Sequence, residues 1–403
     1  MTKSNKLIPE LRFPEFSTAG NWQMKELGEY LEYIQPTNYL VNSSLYNDNF
    51  KIPVLTAGKT FILGYTDEVE GIFDENLPVI IFDDFTTASK YVDFPFKAKS
   101  SAMKILSPKD NTSCKFFFES IQNINYTPGV HQRHWISVFS KLKVPVPETF
   151  IEQKKIADCL SSLDELITAH NDKVETLKTY KKGLMQNLFP QEGEKVPKLR
   201  FKEFEKDGDW KEKVLEKISN KIMVGIASAA THAYRRSGII LFRNQNIKEG
   251  YLDDRDIIFI DEEYEKEHKN KRLKSGDLLT ARTGYPGTTC IVPSKHEGSQ
   301  SFTTLITRPN NTIIGSTFLC FYINSERGQA FFNSTKIGGG QQNVNAGSLS
   351  EMPIPFPSRN EQQKIEETLS SVDDLIKEQA EKIEQLKLHK KGLMQGLFPK
   401  VKA

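Results

Sequence analysis

A segment that occurs twice decides the fold of this chain. Residues 152–190 are EQKKIADCLSSLDELITAHNDKVETLKTYKKGLMQNLFP, and residues 361–399 are EQQKIEETLSSVDDLIKEQAEKIEQLKLHKKGLMQGLFP. The two copies are identical at 23 of 39 positions with one constant offset of 209 residues (152 to 361). Chance does not produce such a match, so the chain contains an internal duplication.

The repeated segment has the apolar spacing of a coiled-coil helix. Its apolar residues recur four and three positions apart, which predicts one continuous helix with a narrow seam in each copy. The seam residues are Ile156, Leu160, Leu163, Ile167, Val174, Leu177, Leu184 and Leu188, then Ile365, Leu369, Val372, Ile376, Ile383, Leu386, Leu393 and Leu397. Two seam positions are polar in both copies, His170 with Gln379 and Lys181 with Lys390. Such residues usually fix helix register.

The length of each helix indicates that it packs against another long helix. About 37 residues at 1.5 Å per residue give roughly 55 Å, too long to lie within one small domain. We expect the two copies to pair antiparallel, with His170 near Gln379 and the globular domains at opposite ends. An ordinary amphipathic helix lying on its own domain is the alternative. Gly183 and Gly392 predict a kink or a close contact in the last turns, and Pro190 and Pro399 mark the helix ends.

A second repeat opens each half. PELRFPEFSTAGNW at 9–22 and PKLRFKEFEKDGDW at 197–210 share 8 of 14 residues, whereas residues 23–147 and 211–357 show no comparable identity. Both inserts contain short β-rich runs separated by turn residues, which predicts the α+β class with mixed or antiparallel sheets. The predicted order is a first globular domain (1–150), a helix (151–190), a second globular domain (191–358) and a helix (359–403).

Each insert ends in a polar loop before a proline-flanked strand. The loops are TPGVHQRHWISVFSKLKVPVP from 127 and TKIGGGQQNVNAGSLSEMPIPFP from 335. Aligning their PVP and PIP places Arg133 opposite Gln341 and Trp135 opposite Asn343. Guanidinium, amide and aromatic groups are suited to base edges, phosphates and stacking, so two different recognition loops are predicted. Polar turns packed against the adjoining helix are the alternative.

Composition excludes several classes of protein. The chain has 403 residues and 46.0 kDa, 38% hydrophobic and 26% charged residues, and a mean hydropathy of −0.48. No apolar run approaches the ~20 residues of a membrane span. The start lacks a signal-peptide pattern and the four cysteines stand far apart, so we expect a cytoplasmic protein. A net charge of +2 indicates no strong preference for a partner.

Catalytic motifs are incomplete. Gly58-Lys59-Thr60 resembles a phosphate loop, but Pro53 stands where its first glycine belongs. Asp83 and Asp84 follow a strand without the acidic-x-Lys pair of a magnesium nuclease, so we expect structural acids. No Asn-Pro-Pro-Tyr tetrad of amino-methyltransferases occurs, and neither cysteine nor histidine spacing suggests a metal site. The sequence predicts a chain that is not itself catalytic.

Taken together, the whole chain resembles the specificity (S) subunit of type I restriction-modification enzymes. The resemblance rests on the LRFxEF…GxW openings, the PVP and PIP strands entering the helices, and the KKGLMQxLFP endings. VIIFDDFTTASKYVDFPFKAKSSAMKIL from 79 and GDLLTARTGYPG from 276 also look like parts of that family's target-recognition domains.

The resemblance implies a function. Each target-recognition domain would read one half of a bipartite, asymmetric site on double-stranded DNA, and the helices would set the spacing and dock two modification subunits. Those subunits would bring S-adenosylmethionine, and restriction subunits, where present, ATP and Mg²⁺; this chain would bind no cofactor. A self-sufficient DNA-acting enzyme with a diverged site and a coiled-coil adaptor protein are the alternatives.

Residue type and loop placement select candidate DNA contacts. In the first domain they are Lys59, Lys90, Tyr91, His131, Gln132, Arg133 and Trp135. In the second they are Arg243, Asn244, Asn246, Arg282, Thr283, Tyr285, Gln341, Gln342 and Asn343.

Overall fold

A computed structural model of the chain describes residues 7–58, 60–126, 134–334 and 344–401. The chain divides into two compact units. Unit 1 is Met1–Asn171 with Glu381–Ala403, and unit 2 is Asp172–Ala380. The four cysteines are free thiols. Within the described ranges, no helix is long and apolar enough to span a membrane.

In the described residues of unit 1, nine strands and three short α-helices accompany the first long helix. The strands are β1 (Gln23–Glu26), β2 (Leu31–Ile34), β3 (Ile52–Leu55), β4 (Ile62–Thr66), β5 (Val79–Asp83), β6 (Ser89–Val92), β7 (Lys97–Ala98), β8 (Met103–Pro108) and β9 (Lys143–Val146). The helices are α1 (Leu27–Tyr30), α2 (Cys114–Gln122), α3 (His134–Ser137) and the long α4 (Phe150–Leu188).

The sheets of unit 1 bring the two ends of its first globular domain together. A four-stranded antiparallel sheet has the order β2-β8-β5-β6, and a three-stranded sheet has the order β4-β3-β7. Strand β5 (VIIFD) is a continuous buried run, as expected for a strand covered on both faces. Strand β1 pairs antiparallel with β9, so both ends of the insert meet where α4 begins.

Unit 2 repeats the plan with a different interior. Its strands are β10 (Lys211–Val214), β11 (Ser219–Val224), β12 (Tyr234–Arg235), β13 (Ile239–Phe242), β14 (Ile258–Ile260), β15 (Leu278–Thr280), β16 (Thr289–Ile291), β17 (Gln300–Ser301), β18 (Leu305–Pro309) and β19 (Pro353–Phe356). Its helices are α5 (Glu262–Glu267), α6 (Ser316–Asn324), α7 (Glu326–Ser334), α8 (Ala346–Ser350) and the long α9 (Arg359–Leu397).

Where the structure describes unit 2, its strands form two four-stranded sheets and a two-stranded pair like the one in unit 1. Their orders are β11-β18-β15-β16 and β12-β14-β13-β17, the latter with one parallel pair, β13 with β17. Strand β10 pairs antiparallel with β19, as β1 does with β9. The α+β class with mixed and antiparallel sheets is confirmed.

The long helices match the seam that the sequence predicts. Helices α4 and α9 are each continuous over 39 residues, and all sixteen seam residues are buried or half-buried. Unit 1 holds the first part of α4 and the last part of α9, whereas unit 2 holds the last part of α4 and the first part of α9. Within unit 1, Leu160 shares a core with Leu397 and Asp164 pairs with Lys390, so these two helix segments run antiparallel.

Candidate DNA-recognition surfaces and their scaffold

A buried ion pair fixes the opening of the first half to the start of α4. The Arg12 guanidinium donates from Nε and Nη2 to the two carboxylate oxygens of Glu152, at 2.7 and 2.8 Å. The Trp22 indole Nε1 donates to the same carboxylate at 3.2 Å. Glu152 is 1% exposed, so its charge depends on these donors.

Unit 2 contains the same ion pair and the same indole hydrogen bond. Arg200 donates to both oxygens of Glu361 at 2.9 and 2.8 Å, and Trp210 Nε1 donates to Glu361 Oε1 at 3.2 Å. Hydrogen bonding to Glu361 raises the pKa of Arg200, so the guanidinium stays charged. Identical residues of the two repeats therefore meet in identical geometry, once in each unit.

An aromatic cluster lies beneath each ion pair. In unit 1, Trp22 packs on Phe116 of α2, with ring centroids 5.7 Å apart, and Phe116 stacks on Phe398 at 5.2 Å. In unit 2, Trp210 packs on Phe318 of α6 at 5.9 Å, and Phe318 meets Phe189 at 5.4 Å. Phe398 and Phe189 belong to the LFP endings of the helices. These aromatic contacts were not among the sequence predictions, although Trp22 with Trp210 and Phe189 with Phe398 are identical in the two repeats.

A backbone hydrogen bond joins each opening to a helix end. Leu11 N donates to Gly396 O, and Leu199 N donates to Asn187 O, with 2.8 and 2.9 Å between N and O. The partners on the helices are equivalent positions of the two copies. Each opening repeat thus docks on the end of the long helix that completes its own unit.

The seam lysine of α9 lies in a four-charge network in unit 1. Lys390 Nζ contacts Asp164 of α4 and Glu119 of α2, each at 2.8 Å. Lys115 Nζ contacts the same two carboxylates, at 2.6 Å from Asp164 and 3.0 Å from Glu119. Burial alone would lower the pKa of Lys115, but its bonds to Asp164 and Glu119 raise it. The network ties two helix segments to the recognition domain.

The equivalent lysine of α4 has different surroundings in unit 2. Lys181 Nζ contacts Asp373 of α9 at 2.7 Å and lies 5.1 Å from the centre of the Phe321 ring on α6. Lys181 with Asp373 repeats Lys390 with Asp164, at equivalent positions of the repeat. A neutral ring thus stands on α6 where α2 supplies a carboxylate.

The other predicted helix features have mixed outcomes. His170 is half-buried on α4 and Gln379 is 7% exposed on α9, and they belong to different units. Their role in register, like that of Lys181 and Lys390, stays a prediction. A close contact at Gly183 or Gly392 is wrong, because a Cβ atom at either position would meet no atom within 4 Å.

Seven predicted DNA contacts lie outside the described residues. They are Lys59, His131, Gln132, Arg133, Gln341, Gln342 and Asn343.

The next two candidates, Lys90 and Tyr91, lie on opposite faces of strand β6. Lys90 is exposed, with its Nζ 6.0 Å from the centre of the Phe61 ring. Tyr91 turns to the other face, where its ring lies 5.9 Å from Phe118 and burial raises its pKa to about 12. Lys90 remains a predicted contact, whereas the Tyr91 ring packs against the domain core.

Trp135 does not have the exposure that base stacking requires. Its side chain is 2% exposed and packs edge-on against Phe82, with 5.4 Å between ring centroids. Its backbone N donates to Asp84 Oδ1 at 2.8 Å. The prediction of a DNA contact by this ring is therefore corrected to a core role, because a neighbouring acidic turn draws the segment inward.

The polar side chains of the Arg243–Asn246 turn in unit 2 mainly bond to nearby loop residues. Asn246 is 2% exposed and donates to the carbonyls of Asp253 and Asp256, so its predicted DNA contact is corrected to a structural role. Asn244 donates to Thr303 and accepts from the Arg282 backbone N. Arg243 is half-buried and paired with Asp256 at 3.0 Å. Arg243 and Asn244 stay predictions.

The β15–β16 loop carries an exposed candidate. Tyr285 is 83% exposed and Thr283 is half-buried. Arg282 Nε donates to Val344 O at 3.0 Å, and its backbone N donates to Asn244 Oδ1 at 2.7 Å. The structure therefore brings Asn244, Arg282 and Tyr285 together on one loop cluster.

Comparisons with known proteins agree on one family. A family model described as the type I restriction modification DNA specificity domain matches residues 19–179 and again 207–388. The specificity subunit of the type I restriction enzyme EcoR124I/EcoR124II of Escherichia coli is 32% identical over 363 residues, covering 87% of this chain and 86% of that relative. The MjaVIII specificity subunit of Methanocaldococcus jannaschii is 25% identical over 411 residues, covering 96% and 93%.

The fold is also known from solved structures. The S subunit of a type I restriction-modification system from M. genitalium superposes with a TM-score of 0.61 and covers 98% of this chain and 100% of its own length. Its sequence identity is 15%, so this likeness concerns the fold.

Proposed function

Since the chain belongs to the type I restriction-modification DNA specificity family, we propose that it directs such a complex to its DNA site. Each recognition domain binds one half of a bipartite site. The observation that carries this proposal is one anchor, Arg–Glu–Trp over an aromatic cluster, holding two unlike domains. Because the exposed loops of the two domains differ, the two half-sites differ as well.

The repeated parts also suggest two copies of one partner. Leu166 and Leu375 occupy equivalent positions of α4 and α9 outside the packed seam, and they remain 48% and 45% exposed. An exposed leucine at the same place in both copies fits a docking site for a modification subunit. S-adenosylmethionine belongs to those subunits, and ATP and Mg²⁺ to restriction subunits. The chain itself is the non-catalytic specificity component, and we expect it in the cytoplasm.

The proposed docking site has a direct test. Leu166→Asp or Leu375→Asp should each remove one modification subunit, and the double variant should remove both, as measured by native mass spectrometry of the assembled complex. Leu45→Asp is the matched control, because Leu45 is 80% exposed in the first recognition domain and lies outside the repeats. Retention of two subunits by the double variant would exclude these leucines from docking.

Mapping of N6-methyladenine tests the proposed function as a whole. In a host that expresses this chain with its modification subunits, we expect methylation at one bipartite, asymmetric motif with a constant gap. Methylation without such a motif, or none on any duplex, contradicts the proposal. Cleavage or methylation by the purified chain alone, supplied with Mg²⁺, ATP and S-adenosylmethionine, would show a self-sufficient enzyme instead.

Helix length is proposed to set the gap between the half-sites. Each helix is continuous over 39 residues, about 58 Å at 1.5 Å per residue, which exceeds one DNA turn of ~34 Å. Inserting one heptad after both Lys173 and Lys382 preserves the seam phase and adds ~10 Å. At about 3.4 Å per base pair, the gap should lengthen by about 3 base pairs with both half-sites unchanged. Altered half-sites with the original gap would refute a spacing role.

A further inference from the structure

Both recognition domains place a hairpin at the same point of a four-stranded sheet. The orders β2-β8-β5-β6 and β11-β18-β15-β16 correspond strand for strand, although the inserts share no comparable sequence identity. The connections β5–β6 (84–88) and β15–β16 (281–288) are therefore equivalent, and we term them the hairpin tips.

The tip in unit 1 buries its acids and exposes its ring. Asp83 Oδ1 accepts from Phe85 N at 2.9 Å, and the 2%-exposed Asp84 accepts from Trp135 N and lies 3.6 Å from Lys104 Nζ. Phe85 is 48% exposed. The turn is thus closed by its own carboxylates, which leave an aromatic ring and no free acid on the outer surface.

The tip in unit 2 reaches the same result with other residues. Gly287 N donates to Ala281 O at 3.0 Å, and Thr288 N donates to Tyr285 O at 3.2 Å. Gly287 has φ +97° and lies against the Phe332 ring, where a Cβ atom would come within 2.5 Å. Tyr285, 83% exposed, is thereby carried on a closed turn.

An exposed aromatic on a closed turn indicates binding rather than folding. A ring in water contributes little to the domain core, whereas a ring with few rotamers on a fixed backbone loses little entropy when it meets a ligand. A protein partner shared by both halves would meet the repeated surfaces, but the hairpin tips belong to the parts that differ. A ligand that differs between the halves is the DNA site.

We propose that Phe85 and Tyr285 are stacking residues, each packing its ring on the face of a base within the half-site of its own domain. This inference rests on the proposed function and deepens it. Apolar side chains that enter a groove part a base step, and a ring at such a step can stack on the base face that the step exposes. Phe85 was not a sequence candidate, and the equivalence of the two hairpins identifies it.

The test uses the full chain with its modification subunits and a duplex carrying the mapped site. Phe85→Ala and Tyr285→Ala should each raise the Kd, measured by fluorescence anisotropy, roughly 5- to 100-fold, the range for loss of one stacked base. Phe85→Tyr and Tyr285→Phe keep a ring and should stay within about threefold of wild type. Tyr251→Ala is the control in unit 2, since Tyr251 is 57% exposed outside the hairpin tip, and Leu45→Ala serves unit 1.

Placing 2-aminopurine at each position in turn locates the stacking. We expect Phe85→Ala to change the 2-aminopurine signal in one half-site only and Tyr285→Ala in the other half-site only. Alanine variants that bind within twofold of wild type, or that leave every 2-aminopurine signal unchanged, overturn the stacking role while the proposed function stands. A wild-type complex that binds no bipartite duplex overturns both.

Discussion

Lys390 and Lys181 occupy the same position of the two long helices, yet each is bound differently by its own unit. In unit 1, Lys390 joins Asp164, Glu119 and Lys115 in a network that includes the recognition domain. In unit 2, Lys181 keeps the helix carboxylate but meets the Phe321 ring on the domain. The Arg–Glu–Trp anchor of each unit does not vary. In each unit, one set of contacts between helix and domain is the same and one differs. We term the Arg–Glu–Trp anchor the constant joint and the contacts of Lys390 or Lys181 the adjustable joint.

The largest expected effect comes from breaking the constant joint. Glu152→Ala leaves the Arg12 guanidinium without its buried carboxylate, and Glu361→Ala does the same to Arg200. Removal of one partner from a buried ion pair costs about 3–5 kcal/mol, and the comparison predicts nearly equal losses in the two units. Hydrogen exchange followed by mass spectrometry measures each unit separately.

A matched control keeps this test specific. Asp158→Ala removes an exposed carboxylate that pairs with Lys154 two turns into α4, and it should leave exchange unchanged within error. Unequal losses in Glu152→Ala and Glu361→Ala would contradict a constant joint.

The adjustable joint predicts an unequal pair. Lys390→Met deprives the 1%-exposed Glu119 of one of its two lysines and should destabilise unit 1 by about 2 kcal/mol. Lys181→Met leaves Asp373 partly solvated and keeps apolar contact with Phe321, so the loss in unit 2 should stay below about 1 kcal/mol. Urea titration with the same exchange readout distinguishes the two. Equal losses would show that Glu119 adds nothing to this joint.

The sequence predicts the repeated helices well and the burial of single side chains in the recognition domains poorly, for a physical reason. Repetition and heptad spacing can be read from the sequence directly and predict both long helices and their seam, and short β-rich runs between turn residues predict the α+β class. Residue type favours Trp135 and Asn246 as contacts, but their burial depends on packing against other segments, such as Asp84 for Trp135 and the Asp256 carbonyl for Asn246. Phe85 was missed because only the sheet order shows that its turn corresponds to that of Tyr285.

The hairpin tips of the two units also differ in the residue that adopts a positive φ. Gly287 has φ +97° and faces the buried Phe332 ring, so Gly287→Ala combines an unfavourable conformation with a steric clash. We expect a loss of about 2 kcal/mol in unit 2 and weaker binding confined to one half-site. Hydrogen exchange of the β15–β16 loop and methylation of half-site variants measure the two effects. A variant as stable as wild type would show that the turn adapts.

The smallest expected effect has the opposite sign. The tip in unit 1 has no glycine, and Thr87 adopts φ +60°, a conformation that a β-branched residue occupies at a cost. Thr87→Gly relieves that strain but adds freedom to the unfolded chain, so unit 1 should gain less than about 1 kcal/mol. Thr87 Oγ1 donates to the neighbouring Thr86 carbonyl, so the hydrogen bond that Thr87→Gly removes is a local one. Slower hydrogen exchange at residues 83–88 in Thr87→Gly would support a strained backbone at Thr87. Faster exchange would mean that the threonine side chain stabilises this turn.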